Sequence, residues 1–187
     1  MSDSIHIQYH TTPVGELILG VYQNQLCLCD WRYRKMRARI DSRIQTTLKT
    51  TYQIDHERAP HPVIDQTIAQ LGEYFAGQRT DFDLPVLMVG TDFQRTVWLA
   101  LQTISFGTTS TYLRLAKAMD KPLAVRAVAS ANGANALSII VPCHRVIGSQ
   151  GDLVGYAGGL PAKKRLLQLE QLEGLQMDGT EDLFASQ

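Results

Sequence analysis

The sequence lacks the features that mark several large classes of protein. Its three cysteines are too few for a disulfide framework, which favours a reducing intracellular environment. No apolar run approaches the roughly 18 residues of a membrane helix, and the N-terminus lacks the basic start and apolar core of a secretory signal. There is no fixed-period repeat and no low-complexity tract. With 44% hydrophobic and 19% charged residues, the chain of 187 residues is expected to be globular.

The chain has no net charge, but its charged residues are unevenly distributed. Residues 93–165 contain nine basic and two acidic residues, a net charge of +7, whereas residues 166–187 contain five acidic residues and no basic one. A block of this charge attracts phosphate groups even when the whole molecule is neutral. An ordinary solvated basic face would have the same composition, so charge alone leaves both interpretations open.

The first part of the chain predicts a small sheet. Apolar residues at Ile5, Ile7 and Tyr9 alternate with polar ones, which is typical of a half-buried strand. Two apolar runs on either side of residues 23–25 predict a hairpin. The sheet is therefore expected to begin with three strands that are close in sequence.

Helices are expected beside this sheet and after it. Apolar residues at helical spacing predict helices over residues 36–48 and 62–75. We interpret residues 1–88 as an N-terminal α/β domain and residues 89–187 as a second, mostly helical domain. Together they predict an α+β protein.

The second domain predicts a run of three helices. Asp92 is a plausible N-cap for the first, and either Ser110 or Thr111 can cap the second. The third is expected over residues 123–132, with Arg126 as its long cation. This arrangement fits a helix-turn-helix, although an ordinary helical hairpin is commoner. The third helix also has many small residues, which allow another surface to approach closely: Ala124, Ala127, Ala129, Ser130, Ala131 and Gly133.

The residues that suggest chemistry follow a buried segment. Residues 136–141 are apolar and rich in β-branched side chains, which predicts a strand that Pro142 ends. Cys143 comes next, with His144 and Arg145 beside it. A thiol becomes a good nucleophile when a neighbouring base or cation increases its thiolate fraction. A small buried cysteine beside a hydrogen-bonded histidine is the alternative, but the flanking strand, Pro142 and the glycine-rich loop that follows favour a functional site.

The other two cysteines have a simpler interpretation. Cys27 and Cys29 are two residues apart in a predicted strand, so we expect both on one buried face. A second pair of ligands, which a structural zinc site needs, is missing from the sequence. We therefore expect no metal site and interpret both cysteines as core residues.

The residues around Cys143 closely resemble the methylated-DNA–protein-cysteine methyltransferases, the O6-alkylguanine-DNA alkyltransferases. Pro-Cys-His-Arg-Val is the signature of that family, and the resemblance covers residues 91–172. It continues more weakly at residues 12–15 and 73–77. The matching segments are Arg126-Ala-Val-Ala-Ser-Ala-Asn132, Asn135, Ile140-Val-Pro-Cys-His-Arg-Val-Ile147, Gly155-Tyr-Ala-Gly-Gly-Leu160 and Leu166-Leu-Gln-Leu-Glu170.

The resemblance implies a role for each catalytic residue. Cys143 would accept the alkyl group, and His144 would deprotonate it through a water. Glu170 would orient the imidazole and balance its charge. Asn135 would hold the turn that presents the site, and Tyr112 would hydrogen-bond the flipped base and crowd its phosphate.

The resemblance also implies a DNA-binding surface. Arg126 would enter the duplex in place of the extruded nucleotide. The small residues Ala127 and Ala131 would let the helix approach the DNA, and Ser149 would contact the substrate strand. Tyr112, on the preceding helix, would also contact the DNA.

The pocket for the base would be formed largely by backbone groups. The carbonyls of Cys143 and Val146 would accept hydrogen bonds from the guanine amine, and the N–H of Ala157 would donate toward O6. Tyr156 would form one wall.

The resemblance thus implies a stand-alone repair protein that is consumed in one turnover. Its N-terminal domain would be a small sheet with helices, like ribonuclease H, and its C-terminal domain would carry the helix-turn-helix. Its partner would be double-stranded DNA containing O6-alkylguanine, possibly O4-methylthymine as well; no cofactor and no membrane would be involved. We expect a cytoplasmic monomer, associated with the nucleoid in a bacterium. Two other hypotheses are a non-catalytic helix-turn-helix protein that binds alkylated DNA, which Cys143 argues against, and a cysteine hydrolase, which lacks a recognisable oxyanion hole.

Overall fold

The fold is seen in a computed structural model that describes residues 4–54 and 61–171. Its strands are β1 (Ile5–Thr12), β2 (Gly15–Tyr22), β3 (Gln25–Trp31), β4 (Tyr52–Ile54), β5 (Ser110–Thr111) and β6 (Val146–Ile147). The first four form a sheet of order β3-β2-β1-β4, in which only β4 pairs in parallel, with β1. The predicted hairpin is confirmed: Gln23 and Asn24 turn between β2 and β3 with φ angles of 47° and 60°. A turn with two successive positive φ angles has a backbone twist that matches the twist of the flanking strands.

Six helices lie within the described residues: α1 (Arg37–Leu48), α2 (Pro62–Phe75), α3 (Asp92–Gln102), α4 (Tyr112–Ala118), α5 (Val125–Gly133) and α6 (Leu160–Leu169). The prediction for α2 is confirmed at both ends, whereas α5 begins two residues later than predicted. Helix α1 packs on one face of the sheet, and α2 with most of the C-terminal helices packs on the other. None of these helices is long and apolar enough to cross a membrane.

A β-bulge in β3 changes which residues share a face. Leu26 and Leu28 pair with consecutive residues of β2, so Cys27 is an extra residue between them. Cys27 therefore packs on the α1 side, and Cys29 packs on the opposite side. Both cysteines are buried, as predicted, but the expectation that they share one face is wrong.

The helix caps differ from the prediction at one position. Thr91, not Asp92, is the N-cap of α3: its side chain accepts from the Gln94 N–H at 3.2 Å, and the Gln94 side chain accepts from the Thr91 N–H at 3.0 Å. This reciprocal pair is a capping box, which satisfies two backbone donors. Of the two residues predicted as possible caps of α4, Ser110 and Thr111, the structure has Thr111 at the N-cap.

Residues 136–141 are buried, but the prediction that they form a strand is wrong. The chain turns within the segment, where Ile139 has a left-handed φ of 72°. The Asn135 side chain replaces a strand partner: its Nδ2 donates to the Val141 carbonyl at 3.0 Å, and its Oδ1 accepts from the Leu137 N–H at 2.9 Å. Buried backbone groups need such partners wherever no ladder supplies them. An apolar run therefore predicted burial correctly and the backbone conformation incorrectly.

Candidate functional site

A cavity of about 820 Å³ is lined by residues of both halves of the chain, and Cys143 forms part of its wall. The N-terminal half contributes two segments, residues 14–16 and 33–36, together with Trp31. The C-terminal half contributes four further predicted site residues: Tyr112, Asn135, Tyr156 and Ala157. The fold thus brings five of the predicted residues to one cavity.

Cys143 begins a short 3-10 turn, Cys143–Arg145, directly after Pro142. Its side chain is 3% exposed. Burial raises the pKa of the thiol, while the Asn135 amide and the positive charges of Lys163 and Arg34 act in the opposite direction. The resting thiol is therefore protonated and needs a base before it can react.

His144, the next residue in the chain, is the residue predicted to be that base. Its ring is fully buried, and its Nε2 lies 2.8 Å from Oε1 of Glu170. Burial also raises the proton affinity of a carboxylate, but hydrogen bonds from His144 and Arg145 lower the pKa of Glu170 to about 2. An ionised carboxylate only accepts, so Nε2 carries the ring proton. Burial lowers the pKa of His144, and its Nδ1 has no hydrogen-bond partner among the described residues, so a free lone pair remains there.

Two side chains outside the predicted set also donate to Glu170. Arg145 donates from Nε to Oε2 at 2.8 Å and from Nη2 to Oε1 at 3.0 Å. The phenol of Tyr74, from α2 in the N-terminal half, donates to Oε1 at 2.8 Å. Arg145 also donates to the Ile104 carbonyl at 2.6 Å. The carboxylate is thus buried but well supplied with donors, as a buried charge requires.

A buried lysine, which sequence reasoning counted only as part of the basic block, supports the other side of the site. Lys163 donates to the carbonyls of Val146 and Val154, at 2.6 and 2.7 Å. Burial lowers its pKa to about 8. Its two acceptors lie on either side of the loop at residues 148–153, so Lys163 fixes the backbone of that loop. Val146 itself is fully buried.

Arginines of the N-terminal half hold the end of α5. Arg34 donates to the carbonyls of Gly133 and Asn135, at 2.6 and 3.0 Å, and Arg43 donates to that of Ala134 at 2.8 Å. The last carbonyls of a helix lack partners within it, and the end of the helix dipole is negative, so cations stabilise it. Arg34 is itself paired with the buried carboxylate of Asp30 at 2.7 Å.

The predicted DNA-binding residues do not all lie at the surface. Arg126 and Ala127 are exposed on α5, and Ser149 is exposed on the loop after β6, while Tyr112 is half-buried. Ala131 is a correction: its side chain is 3% exposed and faces the core, where its carbonyl accepts from the Trp98 indole at 2.8 Å. A helix has one buried face, and position 131 falls on it.

The basic residues of the segment 93–165 are likewise divided between the interior and the surface. Arg145 and Lys163 are buried and hydrogen-bonded, so their charges do not reach the surface. Six others remain exposed: Arg95, Arg114, Lys117, Lys121, Arg126 and Arg165.

Comparison with known proteins gives a consistent result. The model of a family described as 6-O-methylguanine DNA methyltransferase, DNA binding domain, matches residues 92–172. A constitutive methylated-DNA–protein-cysteine methyltransferase of Bacillus subtilis is 39% identical over 178 residues, which are 89% of this chain and 97% of that protein. A methylated-DNA–protein-cysteine methyltransferase of Mycolicibacterium paratuberculosis is 53% identical over 104 residues, 56% of this chain. That match spans 63% of the mycobacterial protein's length.

A solved structure has the same overall architecture. The structure of Mycobacterium tuberculosis OGT in complex with DNA superposes with a TM-score of 0.75 at 38% identity. The match covers 89% of this chain and 92% of that one. The likeness therefore extends over both halves of the chain.

Proposed function

Because the chain belongs to the methylated-DNA–protein-cysteine methyltransferase family, we propose that it repairs O6-methylguanine in DNA by moving the methyl group to its own Cys143. The observation that carries the proposal is a protonated thiol on a cavity wall that is followed in the chain by a buried, neutral imidazole. His144 has its Nε2 proton fixed by Glu170 and a lone pair left on Nδ1. Such an arrangement accepts the thiol proton and stabilises the resulting charge.

The chemical step is an in-line displacement at a saturated carbon. The proton of the Cys143 thiol passes to His144, and the sulfur forms a bond to the alkyl carbon while the bond from that carbon to O6 breaks. The electron pair of the broken bond remains on the guanine oxygen, and the proton that His144 took from the thiol is delivered to the guanine, so neutral guanine is the product and His144 is neutral again. A donor near O6 would stabilise the developing charge, and Ala157, whose N–H would be that donor, lies on the cavity wall. The protein is left with an S-alkyl thioether and is consumed in one turnover.

The target base must leave the duplex to reach the cavity, at a cost of a few kcal/mol. We propose that α4 and α5 act as a helix-turn-helix and that Arg126 fills the gap in the base stack. Ala127 and Ser149, both exposed, would lie against the DNA backbone. Tyr112, at the start of α4 and on the cavity wall, would contact the flipped nucleotide.

The walls of the cavity accommodate the base in this proposal. The ring of Tyr156 lies against Trp31 in an edge-on contact, with centroids 5.7 Å apart, and so has a fixed orientation. The carbonyls of Cys143 and Val146 would accept from the guanine amine. Val146 already accepts from Lys163, and a carbonyl oxygen has a second lone pair for this purpose.

The domain assignment belongs to the same proposal. Residues 1–88 would form a domain like ribonuclease H, which a mixed sheet with three antiparallel strands and a parallel edge supports. Residues 89–187 would form the DNA-binding and alkyl-acceptor domain. The last of these, residues 172–187, lie outside the described residues.

The proposal is tested by mapping the transferred group. After incubation with duplex DNA containing O6-methylguanine, we expect one methyl group per chain, located by mass spectrometry on the peptide that contains Cys143. A methyl group on Cys27 or Cys29, or release of more than one equivalent of repaired base per chain, would contradict the proposed reaction.

We expect Arg126→Ala to slow repair of duplex DNA at least about tenfold, because the flipped state loses the side chain that replaces the base. Transfer from free O6-benzylguanine should stay close to the wild-type rate, since no base has to leave a duplex. Rates for the two substrates, measured under single-turnover conditions, check this. Arg39→Ala removes the same charge from an exposed site on α1 and serves as the control. Equal slowing of both substrates would mean that Arg126 has no part in base flipping.

A further inference from the structure

We propose that Tyr74, in the N-terminal half of the chain, is a positioning residue that sets the proton affinity of His144 through Glu170. The inference rests on the proposed alkyl transfer, because it concerns the base of that reaction. It assigns a part in the chemistry to a helix far from the Cys143 motif in sequence.

The contacts of the Glu170 carboxylate carry this inference. Its Oε1 receives three hydrogen bonds: from the Tyr74 phenol at 2.8 Å, from His144 Nε2 at 2.8 Å and from Arg145 Nη2 at 3.0 Å. Its Oε2 receives Arg145 Nε at 2.8 Å and the Gly107 N–H at 3.4 Å. Tyr74 and His144 therefore share one oxygen atom as their acceptor.

The phenol cannot easily move away from that oxygen. Tyr74 is 1% exposed, and so is Glu170. The ring of Tyr74 lies against three aromatic rings, those of Phe75, Phe82 and Phe106, at centroid distances of 5.4, 5.5 and 6.2 Å. Burial beside Glu170 also raises the pKa of Tyr74, so the phenol keeps its proton and remains a donor.

Because Tyr74 donates to the same oxygen, the carboxylate stabilises the protonated imidazole of His144 less strongly. Each donor to Oε1 stabilises the negative charge there and makes it a weaker partner for a positively charged ring. Among the groups around His144, burial lowers its pKa, Glu170 raises it, and the positive charges of Arg145 and Lys163 lower it. Cys143 is adjacent in the chain, and the ring of Tyr156 lies 6.4 Å away. All of these stay in place when only the Tyr74 hydroxyl is changed.

Removal of the hydroxyl should therefore raise the proton affinity of His144. Transfer needs a neutral His144, so the transfer rate falls at low pH when the ring becomes protonated. In Tyr74→Phe we expect the pH at half-maximal transfer rate to rise by about one unit, as expected when one hydrogen bond to the charged partner is lost. The aromatic packing is retained, because phenylalanine has the same ring.

The experiment compares pH profiles of the rate of transfer from O6-benzylguanine in the wild type and Tyr74→Phe. Tyr52→Phe is the matched control, because the Tyr52 phenol donates to the Asp41 carboxylate at the same distance of 2.8 Å, in a contact that does not include Glu170. We expect Tyr52→Phe to leave the profile unchanged. Incorporation of 3-fluorotyrosine at position 74 makes the phenol a stronger donor. The acidic side of the pH profile should then shift in the opposite direction, to lower pH.

A second measurement separates this inference from the proposed function. Titration of His144 by NMR in protein labelled at histidine reports its pKa without any alkyl transfer. If the wild type transfers no alkyl group, the proposed function fails, and the histidine titration still decides the role of Tyr74. The inference is overturned if the His144 pKa is unchanged both in Tyr74→Phe and in the protein with 3-fluorotyrosine at position 74. It is also overturned if Tyr74→Phe lowers the rate equally at every pH, which would show that Tyr74 serves only in packing.

Discussion

Cys143→Ser is expected to lower the rate of alkyl transfer by at least about 10³-fold, the scale on which loss of a covalent nucleophile acts. A hydroxyl is far less acidic than a thiol, and its oxygen is a harder and poorer nucleophile toward a saturated carbon. In the proposed reaction the imidazole of His144 deprotonates a thiol, and it is too weak a base to deprotonate an alcohol. DNA binding should remain within about twofold of the wild type, because the charges that contact phosphate are unchanged. Single-turnover transfer and a DNA titration at fixed salt measure the two effects.

The control for this variant is another buried cysteine. The thiol of Cys27 donates to the Gly20 carbonyl at 3.4 Å, and a serine can keep that bond. Burial raises the pKa of Cys27 to about 12, so it is not expected to react. Cys27→Ser should transfer alkyl groups as the wild type does. If Cys143→Ser retained the activity and Cys27→Ser lost it, the assignment of the acceptor would be wrong.

Glu170→Gln is expected to destabilise the fold by about 3–5 kcal/mol, because it leaves the buried guanidinium of Arg145 without an opposite charge. It should also slow alkyl transfer about 10²-fold, since His144 loses the charge that stabilises its protonated form. Denaturant unfolding at neutral pH measures the first effect, and single-turnover kinetics the second. Glu73→Gln is the control: Glu73 pairs with Arg79 at 2.6 Å, but its side chain is 45% exposed, so the loss should be below about 1 kcal/mol.

The same residue predicts how stability depends on pH. The pKa of Glu170 is about 2 in the folded protein, below its ordinary value of 4.5. A carboxylate with a lowered folded pKa contributes stability that is fully present above its unfolded pKa and is lost as the pH falls through its folded pKa. The wild type should therefore lose this contribution between about pH 5 and about pH 2. In Glu170→Gln that part of the acid dependence should be absent; an identical acid dependence in both proteins would show that Glu170 is not ionised in the fold.

The elements that could be predicted are those whose signal is local. Helix α2 was predicted at both ends, because its apolar stripe, the proline at its start and the glycine after it lie within one stretch of sequence. The hairpin between β2 and β3 was predicted for the same reason. Cys143 and His144 are adjacent in the chain, and the motif around them was specific enough to suggest the family.

The failures arise where a residue's environment comes from distant parts of the chain. The bulge at Cys27 depends on how β3 pairs with β2, and alternation in one strand carries no information about it. Residues 136–141 have strand-like composition, but Asn135 supplies the hydrogen bonds that let them turn instead. Ala131 was expected to let the helix approach DNA, yet it lies on the buried face of α5.

The sequence by itself indicated the proposed acceptor thiol, the proposed base beside it and the helices around them, because these follow from a local motif, from adjacency and from periodicity within short segments. Only the tertiary structure decided the protonation states on which the proposed chemistry depends. Burial lowers the proton affinity of His144, and four separate parts of the chain meet at the Glu170 carboxylate, Tyr74 being 96 residues away from it. Desolvation and hydrogen bonding over such separations are properties of packing, and no local pattern encodes them.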